Sequence, residues 1–187
     1  MNRTMKTTQN PAPTTTVPPI DFPVWKTIKL GTGLKTIEDF QGAFDEAGIF
    51  FGNIANFLRH PSFKVSDRAM EVDLVKVSNE DLGYDCNTQH LHGLELRSEI
   101  IRLALAQGLA VCPAEVGPQL RLQYRGDEYV LIGTEPLPCI HEDGREGLAG
   151  MGVTTSDDGK QHANCFMADW FLMDKVFVKP RKQETAV

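Results

Sequence analysis

Long hydrophobic runs and a surplus of positive charge are both missing from this sequence. Its most apolar windows are short, because 100–106 is interrupted by Arg102 and 129–132 has only four residues. A helix that spans a bilayer needs about 20 apolar residues. The formal net charge is −6, whereas nucleic-acid affinity comes largely from Lys and Arg that neutralise phosphates. The sequence therefore predicts no membrane association and disfavours nucleic acid as a partner.

The N-terminal sequence also lacks an apolar segment of the kind found in export signals. No such segment follows Arg3 and Lys6, so we expect a cytoplasmic protein. In the reducing cytoplasm, cysteines are expected as free thiols. The sequence has four of them, at Cys86, Cys112, Cys139 and Cys165.

The apolar content is sufficient for one folded domain. The chain has 187 residues, of which 41% are hydrophobic, a size and composition typical of a single globular domain. Residues 1–21 are rich in Thr and Pro, and such a segment buries too little apolar surface to offset the entropy cost of ordering. We therefore predict a disordered tail over 1–21, a single domain over 22–180 and a polar tail over 181–187.

Apolar periodicity predicts helices in the first part of this domain. Thr36 followed by Asp39 forms a shortened capping box, and Gly48 is suited to end the helix that starts there. A second short helix is expected at 52–59. A longer helix is expected at 91–107, where apolar residues recur at helical spacing.

Strands are predicted on both sides of these helices. Alternating or β-branched residues place strands at 22–30, 71–77 and 175–179. The strand at 71–77 is either buried on both faces or bulged, because apolar residues occur at positions of both parities. The stretch 138–164, which is rich in glycine and polar residues, is expected to form long loops with at most one weak strand. Because strict βαβ alternation is missing, we predict an α+β fold with helices in the N-terminal half packed on a mostly antiparallel sheet.

A β-hairpin is predicted over 120–132. Apolar and polar residues alternate strictly over 120–124, and turn-forming residues follow them. In this hairpin Leu120 and Leu122 would face the core and Arg121 would face solvent.

The predicted ligand-binding residues lie in two connections that contain glycine. Gly31 and Gly33 follow a strand next to Lys29, and Glu115 and Gly117 lie in a Pro- and Gly-containing segment. Such connections beside regular elements can present backbone groups and a carboxylate to a ligand. The alternative for the glycines is a tight turn. Glu115, the one acid in a long uncharged stretch, is either a surface residue or a carboxylate held by a specific partner.

Carboxylates indicate a second possible site. Glu71 and Asp73 share one face of the predicted strand, and Lys76 falls on the other face unless the strand is bulged. Metal-dependent nucleases hold Mg²⁺ and water with carboxylates and a lysine. The alternative is the solvated face of a half-buried strand.

The cysteine and histidine residues occur in three short groups. Thiolate and imidazole are preferred zinc ligands, but none of the spacings matches a standard zinc motif. We therefore predict no metal and no cofactor. Cys112, which stands apart from the groups, is expected to be an inert core thiol. The groups are Cys86 with His90 and His92, Cys139 with His141, and His162 with Cys165.

Several segments resemble one family of short bacterial proteins that carry no assigned function. The resemblance covers residues 22–138 in pieces and implies no activity, cofactor or catalytic residue. The segments are FPVWKTIKLGTGLKT (22–36), EVDLVKVS (71–78), DLGY (81–84), CPAEVGPQLRLQY (112–124) and YVLIGTEP (129–136).

The sequence favours a small, non-enzymatic binding protein whose partner is another protein or a small molecule. No convincing catalytic constellation is present, and the charge is mildly acidic. The alternative is a hydrolase that uses Glu71, Asp73 or Glu115, with or without a metal ion. If these three carboxylates converge in a cleft and have perturbed pKa values, the hydrolase is favoured.

Overall fold

The computed structural model describes residues 20–51, 54–140, 146–156, 159–166 and 174–181, with backbone alone at 139–140, 146–147, 149 and 164–166. Nearly all of the predicted N-terminal tail and residues 182–187 of the C-terminal tail lie outside these ranges. Two residues that we assigned to the tails contact the sheet. Asp21 forms an ion pair with Lys179 at 2.6 Å, and Arg181 forms one with Asp73 at 2.7 Å.

In the described part of the chain, six strands form one curled sheet. The sheet is mostly antiparallel, as predicted. The strand order is β1-β2-β6-β3-β4-β5. Four neighbouring pairs are antiparallel, and β3 and β6 are the parallel pair. The strands are β1 (Lys26–Leu30), β2 (Met70–Val77), β3 (Val130–Ile140), β4 (Glu146–Thr155), β5 (Gln161–Phe166) and β6 (Asp174–Lys179).

Four helices are present in the described part of the chain. They are α1 (Ile37–Glu46), α2 (Ile54–Leu58), α3 (Gly93–Ala106) and α4 (Val116–Gln123). The helices predicted from Thr36 to Gly48, at 52–59 and at 91–107 are confirmed as α1, α2 and α3, although α3 lies at the middle of the chain rather than within its N-terminal half. The sequence does not predict α4. The reason for the error at α4 is that its sequence alternates like a strand.

The N-terminus of α1 is closed by the capping box that the sequence predicts. The Asp39 N–H donates to Thr36 Oγ1 over 3.1 Å, and the Thr36 N–H donates to Asp39 Oδ2 over 2.9 Å. Backbone N–H groups of Lys35 and Thr36 lower the pKa of Asp39, because they stabilise its charged form. Gly48 ends the helix with φ +66°, a conformation that suits glycine.

The two faces of β2 contribute to two different buried clusters. Leu74 belongs to a cluster that contains side chains of α1, α2 and α4. Val75 belongs to a cluster that contains side chains of α3. Since successive strand residues point to opposite faces, β2 is covered on both sides. The sequence-based alternative of burial on both faces is confirmed.

The predicted hairpin is wrong, because 116–123 is the helix α4. Pro118 is compatible with a helix here because it lies in the first turn, where backbone N–H groups have no intrahelical partner. Val116 and Leu120 are both fully buried, at the i, i+4 spacing of a helix face. Arg121, predicted to face solvent, is also fully buried.

The predicted long loops over 138–164 are wrong as well, since most of this stretch is strand. Met151 and Val153 are fully buried. Gly150 precedes Met151, and Gly152 lies between Met151 and Val153. Glycine weakens the alternation that identifies a strand in the sequence. Hydrogen bonding to β3 on one side and β5 on the other compensates for this weak local preference.

Helix α4 connects distant parts of the sheet, because it contacts β1 as well as β4 and β5. Its close approach to β4 depends on Gly117, where an added Cβ would lie 2.2 Å from Met151 Sδ. The Arg121 guanidinium donates to the carbonyl oxygens of Tyr124 and Gly126, and over 3.2 Å to that of Thr154 in β4. Burial lowers the pKa of Arg121. None of the helices in the described part of the chain has the length and apolar character needed to cross a membrane.

Candidate functional site

The Glu115 carboxylate lies inside the protein and bridges two loops. Its Oε1 accepts a hydrogen bond from the Gly31 N–H over 2.8 Å, and its Oε2 accepts one from the Ser66 N–H over 2.8 Å. The residue is fully buried. Of the two alternatives for Glu115, the surface placement is wrong, and the carboxylate is held by specific partners within the chain.

Glu115 begins a row of polar side chains along α4. Gln119 Nε2 donates to Glu115 Oε1 over 3.2 Å and to Thr32 Oγ1 over 2.7 Å. One turn further on, Gln123 Nε2 donates to Gln119 Oε1 over 3.1 Å. The three side chains are four residues apart and therefore lie on one face of the helix.

This row also binds the outer edge of β1. The Lys29 N–H donates to Gln123 Oε1 over 2.9 Å, and Gln123 Nε2 donates to the Lys29 carbonyl over 2.8 Å. The Gln123 amide thus forms the two hydrogen bonds that a neighbouring strand would form. Because an unpaired strand edge is a site of unwanted association, the row on α4 protects β1.

Of the five residues that the sequence singled out for ligand binding, the structure brings Gly31 and Glu115 into contact and places Lys29 and Gly117 in other contacts of the same helix. Gly31 contacts Glu115, the Lys29 backbone contacts α4, and Gly117 packs against β4. All of these contacts are made within the protein. The Lys29 side chain and Gly33 are exposed, and an added Cβ at Gly33 would meet nothing within 4 Å.

The Glu71 and Asp73 carboxylates are bound by Arg181 rather than by Lys76. Arg181 Nε and Nη2 donate to the two Asp73 oxygens over 2.7 and 2.9 Å, and Nη2 donates to Glu71 Oε2 over 3.4 Å. Thr27 Oγ1 donates to Asp73 Oδ1 over 2.7 Å. Asp73 and Glu115 share no hydrogen-bonding partner among the described residues.

Acid is expected to weaken the contact between Asp73 and Arg181. Hydrogen bonds from Arg181 and Thr27 lower the pKa of Asp73 to about 2, against about 4 for an unfolded chain. Because the folded pKa is the lower one, the stabilisation is present above about pH 4 and is lost as the pH falls to about 2. Arg181 is half-exposed, so we expect no more than about 1 kcal/mol.

The measurement is urea denaturation of the parent protein and the Asp73→Asn variant across this pH range. The difference in unfolding free energy should be present at neutral pH and disappear near pH 2. A difference that stays constant with pH would contradict an ionised Asp73 as its source.

The cysteine and histidine groups do not form a metal site in the described part of the chain. His162 Nε2 lies 3.0 Å from Ser156 Oγ, and its ring lies 5.3 Å from that of Phe50. The Cys86 thiol is 3.8 Å from Asn79 Nδ2. The side chains of Cys139 and Cys165, and all of His141, lie outside the described residues.

Cys112 is a core thiol. It is 4% exposed, and its Sγ donates to the Val176 carbonyl over 3.3 Å. Burial raises the pKa of the Cys112 thiol, which disfavours the nucleophilic thiolate. This geometry fits the expected inert role.

A partly exposed group of aromatic and charged side chains lies beside the N-terminus of β1. We call it the aromatic–lysine cluster, and it consists of Trp25, Lys26, Lys76, Tyr124, Glu128 and Asp174. The Trp25 and Tyr124 rings meet edge to face at 5.0 Å and 75°. Both rings also pack against a buried cluster of the core, which gives the exposed ring surfaces a fixed support.

The two lysines of the cluster have different surroundings. Lys76 Nζ lies 3.1 Å from Glu128 Oε1 and 3.7 Å from Asp174 Oδ2. Lys26 Nζ lies 4.8 Å from the centre of the Tyr124 ring and 5.8 Å from that of Trp25. Within the described parts of the chain, Lys26 has no carboxylate within ion-pairing distance.

The pKa shifts in the cluster favour an ionised Glu128 and a neutral Tyr124. The Lys76 ammonium lowers the pKa of Glu128, while burial and the Glu128 carboxylate raise the pKa of Tyr124. The Tyr124 hydroxyl donates to Glu128 Oε2 over 3.1 Å. At neutral pH the cluster therefore contains two cations, two carboxylates and a neutral phenol.

Sequence reasoning did not find this cluster, because its members come from four separate places in the chain. Trp25 precedes β1 and Lys26 begins it, Lys76 is in β2, Tyr124 and Glu128 follow α4, and Asp174 begins β6. The one local signal is the adjacent Trp-Lys pair, which is too common to identify a site. The aromatic rings meet only after α4 has been placed against β1.

Comparison with known proteins gave no further identification, as no family model, curated protein or solved structure matches the chain.

Proposed function

We propose that this is a non-enzymatic binding protein that holds a small molecule or a partner protein at the aromatic–lysine cluster. The observation that carries the proposal is the Lys26 ammonium, which lies over the Tyr124 ring and beside Trp25 in a partly exposed position. Aromatic surfaces combined with a few placed polar groups are typical of ligand sites. They also supply most anchors in protein interfaces.

Support comes from the fixed arrangement of the two rings. The Trp25 ring is nearly perpendicular to the Tyr124 ring, so the pair forms a corner with two apolar surfaces. The backbone N–H of Trp25 donates to the Leu74 carbonyl of β2 over 2.7 Å. The Tyr124 N–H donates to the Leu120 carbonyl at the end of α4. Because the backbone of both residues is held in place, ordering of the site would cost little of the binding free energy.

The hydrolase alternative has weaker support. The Asp73 oxygens accept from Arg181 and Thr27, and the Glu115 oxygens accept from Gly31 and Ser66. Carboxylates used in this way hold the fold together, whereas general acid–base catalysis needs a carboxyl group that can reach its substrate.

We further propose that residues 22–180 form one domain and that the protein is cytoplasmic.

Ligand-observed NMR with a mixed set of small aromatic acids, amines and neutral compounds tests this proposal. We expect at least one class to bind, and Trp25→Ala to weaken that binding at least about fivefold through loss of one apolar surface. Leu94→Ala is the matched control, because Leu94 is 53% exposed on a different element. A folded Trp25→Ala protein that binds as the parent does would overturn the choice of site, and binding by no class would overturn the small-molecule ligand.

A further inference from the structure

We infer that the aromatic–lysine cluster takes a single carboxylate carried on an aromatic or other apolar group. This inference rests on the proposed function and adds the chemical class of the ligand. The carboxylate would accept from the Lys26 ammonium, and the apolar group would lie against the Trp25 and Tyr124 rings. The two arguments for it concern the charges and the rings.

The first argument is the number of charges left to pair. Lys76 already has two carboxylates, Glu128 at 3.1 Å and Asp174 at 3.7 Å. Lys26 contacts the two aromatic rings, and its charge helps to lower the pKa of Glu128 without an ion pair between them. Among the described residues, its three N–H donors have no hydrogen-bond acceptor. One ligand carboxylate can use them in charge-assisted hydrogen bonds, which are among the stronger polar contacts.

The same charges disfavour other ligands. A phosphate or a polyphosphate would bring more negative charge than a single carboxylate close to Glu128 and Asp174, and the repulsion between like charges at short range grows with that charge. A cationic ligand would face the opposite difficulty. Lys26 and Lys76 lie 5.8 and 5.7 Å from the Trp25 ring centre, and their positive charges would repel a ligand cation placed beside this ring.

The second argument is that the cation and the apolar corner lie next to one another. Lys26 Nζ is within 6 Å of both ring centres, a distance spanned by a carboxylate attached directly to a ring or by one short link. The Lys26 backbone is fixed by its position opposite Leu74 in the β1–β2 pair. Charge and apolar surface are therefore presented together, which provides orientation as well as affinity.

Benzoate, benzyl alcohol and benzylamine have nearly the same ring and size, and they test this inference by titration followed through NMR shifts of the protein. We expect saturable binding of benzoate alone below about 10 mM. Lys26→Gln should weaken it about tenfold, whereas Lys26→Arg should stay within about threefold because the cation is kept. Lys29→Gln is the control, since Lys29 lies in the same strand on the opposite face.

Two further probes separate the sources of the carboxylate and exclude general anion binding. A short peptide that ends in phenylalanine with a free carboxylate, compared with its C-terminal amide, shows whether a chain terminus is accepted as well as a free acid. Inorganic phosphate should not compete with benzoate at equal concentration.

The outcomes distinguish this inference from the proposed function. Equal affinity for benzoate and benzyl alcohol at the Trp25 ring would overturn the requirement for a ligand carboxylate and leave the proposed binding function intact. Tighter binding of benzylamine would do the same. Equal weakening by Lys26→Gln and Lys29→Gln would show that overall charge, and not Lys26, is responsible.

Discussion

Gly31→Ala is expected to lower the unfolding free energy by about 4 kcal/mol. Two costs add at this position. Gly31 has φ +63°, and forcing a residue with a Cβ into that region costs about 1–3 kcal/mol. The added Cβ would also lie 2.2 Å from the Arg68 carbonyl oxygen, which is backbone and cannot rotate away, and overpacking costs about 1–3 kcal/mol.

Gly33→Ala provides a matched control for this prediction in urea denaturation at neutral pH. Gly33 also has a positive φ, of +99°, but an added Cβ there would meet nothing within 4 Å. It should therefore incur the conformational cost of about 1–3 kcal/mol without the clash. Equal destabilisation by the two variants would mean that loop 66–69 moves away from Gly31 at no cost.

Glu115→Gln is expected to destabilise the protein by about 3 kcal/mol. Each carboxylate oxygen accepts from a backbone N–H, one from Gly31 and one from Ser66. An amide side chain has one oxygen, so its NH₂ group would face one of these N–H donors in a fully buried position. Leaving a buried donor without an acceptor costs about 1–3 kcal/mol, and the opposed donors add to this.

The control for Glu115 is Glu80→Gln, which changes an exposed residue and should stay within about 0.5 kcal/mol. Denaturation curves at pH 7 compare the two variants. If Glu115→Gln proves as stable as the parent, the hydrogen bonds to the two loops contribute little to folding.

The sequence alone predicts the elements whose stabilising contacts are local. The capping box of α1 uses residues three apart, and the stop at Gly48 depends on one glycine. The strand β2 is recognisable because it is rich in valine. In each case the physical cause lies within a few residues, so reading along the chain is sufficient.

The hypothesis that joined the Gly31 turn to the Glu115 segment shows how far such reasoning extends. It paired two segments that are 84 residues apart, and the structure places them in contact. The sequence could not show that the contact satisfies Glu115 within the protein. Whether a carboxylate faces solvent or a backbone N–H depends on the loops that cover it.

By itself, then, the sequence determined that the fold mixes helices with a mostly antiparallel sheet. It also determined the mildly acidic charge and the helices and strands with strong local signals. Tertiary structure decided whether 116–123 is helix or strand, because the Leu-Arg-Leu alternation fits both and burial of Val116 and Leu120 selects the helix. It also decided the strands β4 and β5, whose glycine and polar residues give a weak local signal: β4 is held between β3 and β5, and β5 is held by β4. The aromatic–lysine cluster depends on the same placement of α4, because Tyr124 reaches Trp25 only when the end of that helix lies against β1.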